Sequence, residues 1–402
     1  MSGNKPAKGE PMAHEAAASG RTTALVLQGG GALGAYQAGA FEALARHAPH
    51  VDWLAGISIG AVNAAIIAGN APDKRVERLH DFWTTVSARV AFNPVWGQAF
   101  DGVFLGASAL ATVMTGAPGF FAPRFPPPQL QADGSPGALS YYDTAELRRT
   151  LERLVDFDRV NHGDVRLSVG AVNVRTGNFA YFDTAHGRVG PEHILASGAL
   201  PPGLPPVEID GEAYWDGGLV SNTPLQYVMD VSTAPDLLVF QVDLFSARGP
   251  MPENLAQVAS RTKEITYSSR TRLNTDMARE RQAVARALSR VLGRLPPDAA
   301  EDPDVKLLQR HATPGALTLV HLIYRNAPGE GFSKDYEFSR LSVDRHWRAG
   351  LDDAEAALAR PEWRLAGDGD VRVFDANNPD PAGAVCTGEN PHAHVHAKAH
   401  RP

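Results

Sequence analysis

One pattern occurs twice near the start of the chain. ALVLQGGGALGAYQAGA, from Ala24, is a short apolar run, a glycine-rich turn and a segment with helical spacing of apolar residues. VDWLAGISIGAVNAAIIAG, from Val51, repeats the same order. Strand, turn, helix, strand, turn, helix is the signature of a parallel sheet with helical crossovers. The strand runs are continuously apolar and do not alternate, as expected when helices cover both faces. The repeat therefore predicts a three-layer α/β fold with a mostly parallel central sheet.

The rest of the chain is long enough to complete such a sheet and append a smaller region, at 402 residues with 44% hydrophobic content. Residues 1–22 read as a polar, disordered leader without the apolar centre of a secretory signal. Residues 23–250 read as the main domain. Within it, 93–140 is rich in Gly, Pro and Phe and reads as a lid-like insertion. A helix is expected over 143–155, capped by Asp143 or Thr144, and VRLSVGAVNVRTGNFAYFD reads as a hairpin. Residues 251–365 read as a mainly helical C-terminal extension. It comprises a long arginine-rich helix over 260–295, the strand LTLVHLIYR and a helix through DRHWRAGLDDAEAAL. Residues 366–402 read as a flexible tail.

A net charge of −7 argues against nucleic acid as a partner. The single cysteine, Cys386, leaves no mate for an intramolecular disulfide and favours a reducing compartment. No apolar run approaches the roughly 18 residues a membrane-spanning helix needs. A cytoplasmic location is the default expectation, with peripheral membrane contact resting on the aromatic insertion.

GISIGA, residues 56–61, matches G-x-S-x-G where a strand should hand over to a helix. A sharp turn there, given room by Gly56 and Gly60, would push Ser58 outward at a helix N-terminus, whose dipole favours an oxyanion. The alternative is an ordinary serine N-cap in a glycine-rich turn. Asp216, in WDGGLVSNTP with Gly217 and Gly218, is either a plain Asp-Gly turn or a base for the Ser58 hydroxyl. The first turn, Gly29, Gly30, Gly31 and Gly34, suits a dinucleotide phosphate or an oxyanion. A dinucleotide fingerprint wants an acidic residue at the end of the second strand, and Asp52 begins that strand instead. Donors on the first turn beside a nucleophile on the second have the geometry of an oxyanion hole.

GGGALGAYQAGA, GISIGAVNA and DGGLVSNTP, in this order and with ASGALPPGLPP ahead of the third, resemble the signature blocks of the patatin-like phospholipase family. The resemblance covers roughly residues 24–245. It implies a patatin-like fold with a nucleophile elbow, and a Ser-Asp dyad without histidine. Carried over, Ser58 is the nucleophile, Asp216 the base, and the amides around Gly30 and Gly31 the oxyanion hole. It further implies hydrolysis of lipid acyl esters, often of phospholipids, without a metal or other cofactor. This chain has Leu33 where many members carry Arg or Lys, which removes a positive charge beside the site, and Asp-Gly-Gly where Asp-Gly-Ala is also common. YEFSR and DRHWRAG resemble an uncharacterised extension of some bacterial patatin-like proteins, which implies no activity.

Other readings stand beside this one. A Ser-Asp-His triad could draw its base from His311, His321 or His346, although His321 reads as a core residue and His346 as half-buried. A silent lipid- or acyl-binding module would need neither Ser58 nor Asp216. The histidines from His392 onward fit a flexible tail better than a metal site. Arg270, Arg272, Arg279, Arg281, Arg286 and Arg290 fit a solvated helix face better than lipid phosphates, because acidic residues alternate with them. Phe120, Phe121 and Phe125, beside Arg124, suit either a lid dipping into a membrane interface or core packing under a loop.

Overall fold

The computed structural model describes residues 20–48, 50–87, 101–312, 315–326, 330–364 and 371–375. Most of the expected leader, the start of the insertion (93–100) and most of the tail, with Cys386 and the histidines from His392, lie outside these residues.

The first repeat unit is β1 (Arg21–Leu27), a 3-10 turn over Gly31–Leu33 and α1 (Gly34–His47); the second is β2 (Trp53–Gly56) and α2 (Ile59–Ala68). α3 (Arg75–Val86) and α4 (Asp101–Thr115) follow, then a two-stranded ribbon of β3 (Ala122–Pro123) and β4 (Tyr142–Asp143). Next come α5 (Ala145–Leu154), α6 (Phe157–His162), β5 (Arg166–Asn173), β6 (Phe179–Asp183) and α7 (Pro191–Ser197). β7 (Val207–Ile209), β8 (Glu212–Asp216), α8 (Leu225–Val231) and β9 (Asp236–Asp243) lead to the C-terminal region. That region holds α9 (Leu255–Tyr267), α10 (Thr271–Leu292), α11 (Pro303–His311), β10 (Ala316–Ile323), α12 (Arg340–Leu358) and β11 (Val371–Asp375).

The central sheet runs β11-β10-β9-β1-β2-β5, all parallel, and turns antiparallel only where β6 and β8 meet β5 and β7 meets β8. Alternate residues of one strand enter opposite cores, because side chains alternate across a sheet. Leu25 and Leu27 of β1 join the core under α1, α2 and α12, while Ala24 and Val26 join a second core under α8 and α10. β9 divides likewise, Leu238, Phe240 and Val242 against Leu237 and Val239. These are the three layers that the unbroken apolar runs predicted.

The structure departs from the sequence reading in several places. Arg21 and Thr22, placed in the leader, open β1 by pairing with Asp236 and Leu237. The insertion contains a helix of 15 residues, α4. The long arginine-rich helix is two, α9 and α10, separated at Ser268–Arg270. α5 starts two residues later than expected, with Thr144 at its N-cap position as one of the two expected caps and Asp143 accepting the Ala145 amide at 2.8 Å. Val371–Asp375, placed in the tail, pairs in parallel with β10. The extension therefore supplies two strands of the central sheet as well as helices.

α12 is docked on α1 as closely as backbones allow. A Cβ on Gly39 would collide with the Trp347 carbonyl oxygen, and one on Gly350 with that of Tyr36. Tyr36 also donates to Asp353 at 2.7 Å, and Trp347 to Glu42 at 2.6 Å. Gly350→Ala sets two effects against each other. Alanine gains about 1 kcal/mol of helix propensity, while forcing the helices apart costs about 3 kcal/mol. The variant is expected to be less stable by about 2 kcal/mol in a urea titration; a gain would mean the two backbones do not touch.

Candidate active site

The second repeat unit ends β2 at Gly56, and the Ile57 amide donates to the Leu27 carbonyl at 3.1 Å, holding the turn against the end of β1. Ser58 then takes φ 55° and ψ −124°, a conformation that side-chain-bearing residues rarely adopt. Such strain costs on the order of 1–3 kcal/mol and persists only where its surroundings impose it. Here they do: the Ser58 amide donates to Ser197 Oγ at 3.0 Å, and Ser197 donates on to the Gly170 carbonyl at 2.7 Å. The Ser58 carbonyl accepts the Ala61 and Val62 amides, so the residue heads α2. Gly60 is required by close approach, since a Cβ there would strike the Leu27 carbonyl oxygen, and Gly56 in turn lies against Gly60. The result is a half-buried hydroxyl at the positive end of a buried helix.

Asp216 reaches Ser58 through strand register. β6 pairs with β5 from Ser168 to Val172 along one edge. β2 takes the other edge up to Val169, opposite Gly56, and β8 takes it from Ala171, opposite Asp216. The chain that leaves the sheet at the Ser58 turn thus meets the chain that leaves it at Asp216. The Ser58 hydroxyl lies near enough to the Asp216 carboxyl to favour its ionised form. Asp216 is 2% exposed and accepts the Gly218 amide at 2.7 Å. Burial raises its pKa to about 6, against the lowering effect of the Ser58 hydroxyl and the Gly218 amide. A carboxylate of that basicity accepts a hydroxyl proton more readily than an ordinary one.

The glycine loop lies against this pair, since a Cβ on Gly29 would fall 3.1 Å from the Ser58 Cβ. Its amides are not equivalent. Gly29 donates to the Asn222 carbonyl at 3.1 Å, and Gly34, inside the first helical turn, to the Gly31 and Ala32 carbonyls. Both had been assigned to the oxyanion hole, and neither has a free donor. The Gly30 and Gly31 amides find no acceptor among the described residues, and both residues are half-buried. Gly31 has φ 55°, and any side chain there would strike the Asp335 carbonyl oxygen. Two backbone N–H groups without an acceptor, beside a serine hydroxyl, have the composition of a site for the oxyanion of a tetrahedral adduct.

The histidines proposed for a triad lie elsewhere. His321 hydrogen-bonds Asp243 at 2.6 Å and His346 hydrogen-bonds Glu330 at 2.8 Å; both are buried. Among the described residues no histidine is bonded to Ser58 or Asp216, and no group of three His, Cys, Asp or Glu is placed to hold a metal. Arg272 and Arg279 pair with Asp276, and Arg281 with Asp230, as a solvated face would. Phe120 and Phe121 pack on Phe338 and against the core, whereas Phe125 is 94% exposed. Ser197, Gln28, Asn222 and Tyr267 had not been recognised as site-building residues. ASG, residues 196–198, and the Asn of SNTP were their only sequence signals.

The sequence profile described as patatin-like phospholipase matches residues 25–229, which contain Ser58, Asp216 and the glycine loop. A second profile, described as patatin phospholipase, matches residues 265–369. Comparison with curated proteins gives no match. Among solved structures, the crystal structure of VipD from Legionella pneumophila aligns at 14% identity and a TM-score of 0.36. The alignment covers 84% of this chain and 66% of that one, just short of two thirds. With more than half of its residues inside the first of these matches, the chain belongs to the patatin-like phospholipase family.

Proposed function

We propose that the protein is a serine hydrolase of lipid acyl esters working through Ser58 and Asp216. The observation that carries this is a strained, half-buried serine whose hydroxyl stands beside a fully buried carboxyl. Ser58 Oγ attacks the ester carbonyl carbon as its proton passes to Asp216. The Gly30 and Gly31 amides take the oxyanion. Collapse breaks the bond to the alcohol, which leaves with the proton from Asp216. Water then repeats the cycle on the acyl-Ser58 ester and releases the acid. A carboxylate is a weaker base than imidazole, so esters are cleaved and amides are not.

A lipid substrate fits the surface beside the site. Exposed apolar side chains crowd α4 and the ribbon after it: Leu110, Met114, Phe125, Leu130 and Leu139 are each half exposed or more. The ribbon is fastened to the segment that follows α7 by the Tyr141 and Tyr142 amides, which donate to the Pro202 and Gly203 carbonyls. Gly198, at the head of that segment, lies against Ser58. Among the described residues no helix is long and apolar enough to cross a membrane, so contact with lipid would be peripheral.

The test is hydrolysis of p-nitrophenyl esters from butyrate to palmitate, and of phosphatidylcholine vesicles, by the wild type and by the triple variant Leu110→Ser, Met114→Ser, Phe125→Ser. The wild type is expected to turn over both substrates. The triple variant is expected to lose about 100-fold or more on vesicles while keeping its rate on soluble butyrate, since each of the three apolar groups withdrawn from lipid contact loses ~1 kcal/mol or more. Equal rates on vesicles would remove the lipid surface from the account. A wild type inactive on every ester would leave a silent acyl-binding module.

A further inference from the structure

The two free amides of the glycine loop owe their direction to a residue of the Asp216 loop and to the C-terminal region. A trans peptide is planar, with its C=O and N–H pointing in opposite directions. The Gly29–Gly30 bond is trans, so whatever holds the Gly29 carbonyl also aims the Gly30 N–H. That carbonyl accepts Asn222 Nδ2 at 3.0 Å, while the Gly29 amide donates to the Asn222 main-chain carbonyl at 3.1 Å. Asn222, 9% exposed, thus grips Gly29 from both sides. The next peptide is held within the loop, where the Gly30 carbonyl accepts the Leu33 amide at 3.2 Å and so turns the Gly31 N–H the other way.

Asn222 is itself held from outside the catalytic fold. Its Nδ2 donates a second time, at 3.0 Å, to the carbonyl of Tyr267, the last residue of α9. Gln28, just ahead of the glycines, donates to the same carbonyl at 3.0 Å. α9 stops there and α10 begins four residues later, which leaves the Tyr267 carbonyl outside any helical hydrogen-bond ladder. A second strut comes from the same region: the Asp335 carbonyl accepts the Ala32 amide at 2.7 Å, and Lys263 of α9 pairs with the Asp335 carboxylate at 2.6 Å.

We propose that Asn222 is a positioning residue for the oxyanion hole, and that the C-terminal region completes the site by holding Asn222 through Tyr267 and the loop through Asp335. This rests on the serine-hydrolase reading above. The juxtaposition that carries it is one side-chain amide bridging the Gly29 carbonyl and the Tyr267 carbonyl.

An oxyanion donor acts on the transition state and leaves ground-state binding almost unchanged, so its misalignment shows in kcat and not in KM. Losing one donor outright costs roughly 10²–10³ in kcat. For Asn222→Ala, measured on p-nitrophenyl butyrate, we expect kcat to fall about 30- to 100-fold with KM within about threefold. The acid limb of the pH profile should not move, because Asp216 is untouched. Asn222→Asp, of the same shape but with an acceptor facing two carbonyls, should be lower still. Lys263→Met, which removes the pair with Asp335 along with a bond to the Phe332 carbonyl, should lose about three- to tenfold in kcat alone. A folded Asn222→Ala with wild-type kcat, or one whose loss lies in KM or in a shifted acid limb, overturns the role of Asn222. Unchanged kcat in Lys263→Met overturns the role of the C-terminal region. If Asn222→Ala melts below the assay temperature, Asn222→Asp decides the first point. A wild type that Ser58→Ala does not silence defeats the underlying hydrolase reading instead, and this proposal with it.

Discussion

Asp216→Asn is expected to lose at least about 10³-fold in kcat on esters and, above pH 7, to be more stable than the wild type. Both follow from one buried carboxyl. To serve as the proposed base Asp216 must be ionised, so wild-type kcat/KM should fall as pH drops through about 6. In stability the sign is reversed. The folded-state pKa, about 6, lies above the ordinary 3.8, so the folded state holds this proton more tightly than the unfolded state. Below about pH 4 both states are protonated and the group costs nothing; as pH rises through 6, ionising it in place costs about 3 kcal/mol, at about 1.4 kcal/mol per pH unit. Asparagine keeps an acceptor for the Gly218 amide and never ionises. The gap in urea stability between variant and wild type should therefore approach 3 kcal/mol at pH 8 and vanish near pH 4. A variant that stays active would point to a histidine base; one that is inactive but no more stable at pH 8 would mean the carboxyl is better solvated than its 2% exposure implies.

Ser58→Ala should lose roughly 10⁴-fold or more in kcat, because among the described residues no other hydroxyl is placed against Asp216. Ser58→Gly should be equally inactive yet separable from it by stability. Glycine adopts φ 55° without a clash, whereas alanine is as strained there as serine. The glycine variant is thus expected to melt higher than the alanine variant, by on the order of 1 kcal/mol, since strain release exceeds the extra chain entropy of glycine in the unfolded state. Equal or reversed stabilities would mean that the turn is not held in a strained conformation, and a tight elbow would no longer explain why Ser58 faces outward.

The parts of this site that could be read in advance are those built from local chain. ALVLQ and WLAG are apolar runs closed by glycine, and their register puts the two turns side by side. Glycine spacing shows where a backbone can come close, but not where each N–H points. That depends on Asn222, 193 residues beyond Gly29, and this is why Gly29 and Gly34 could not be told apart from Gly30 and Gly31. Two details of the C-terminal region were not legible for a similar reason. LTLVHLIYR is plainly a strand, yet nothing local says that it pairs with β9, and no Pro or Gly marks the break between α9 and α10. The break is tertiary, with Ser269 bonded to Asp243 and the Tyr267 carbonyl to Gln28 and Asn222. Phe120 and Phe121 could have lined a lid or a core; their rings meet Phe338, from a segment more than 200 residues later.

The central claim is that an acyl group passes through Ser58, and covalent trapping tests it most directly. The protein is incubated with a fluorophosphonate, which phosphonylates an activated serine and leaves a tetrahedral adduct with an oxygen in the oxyanion position; intact mass and peptide mapping follow. One adduct is expected, on the peptide carrying Gly56 to Gly60, absent from Ser58→Ala and formed far more slowly by Asp216→Asn and Asn222→Ala. An adduct on another residue, or one that forms as fast without Asp216, would contradict the dyad.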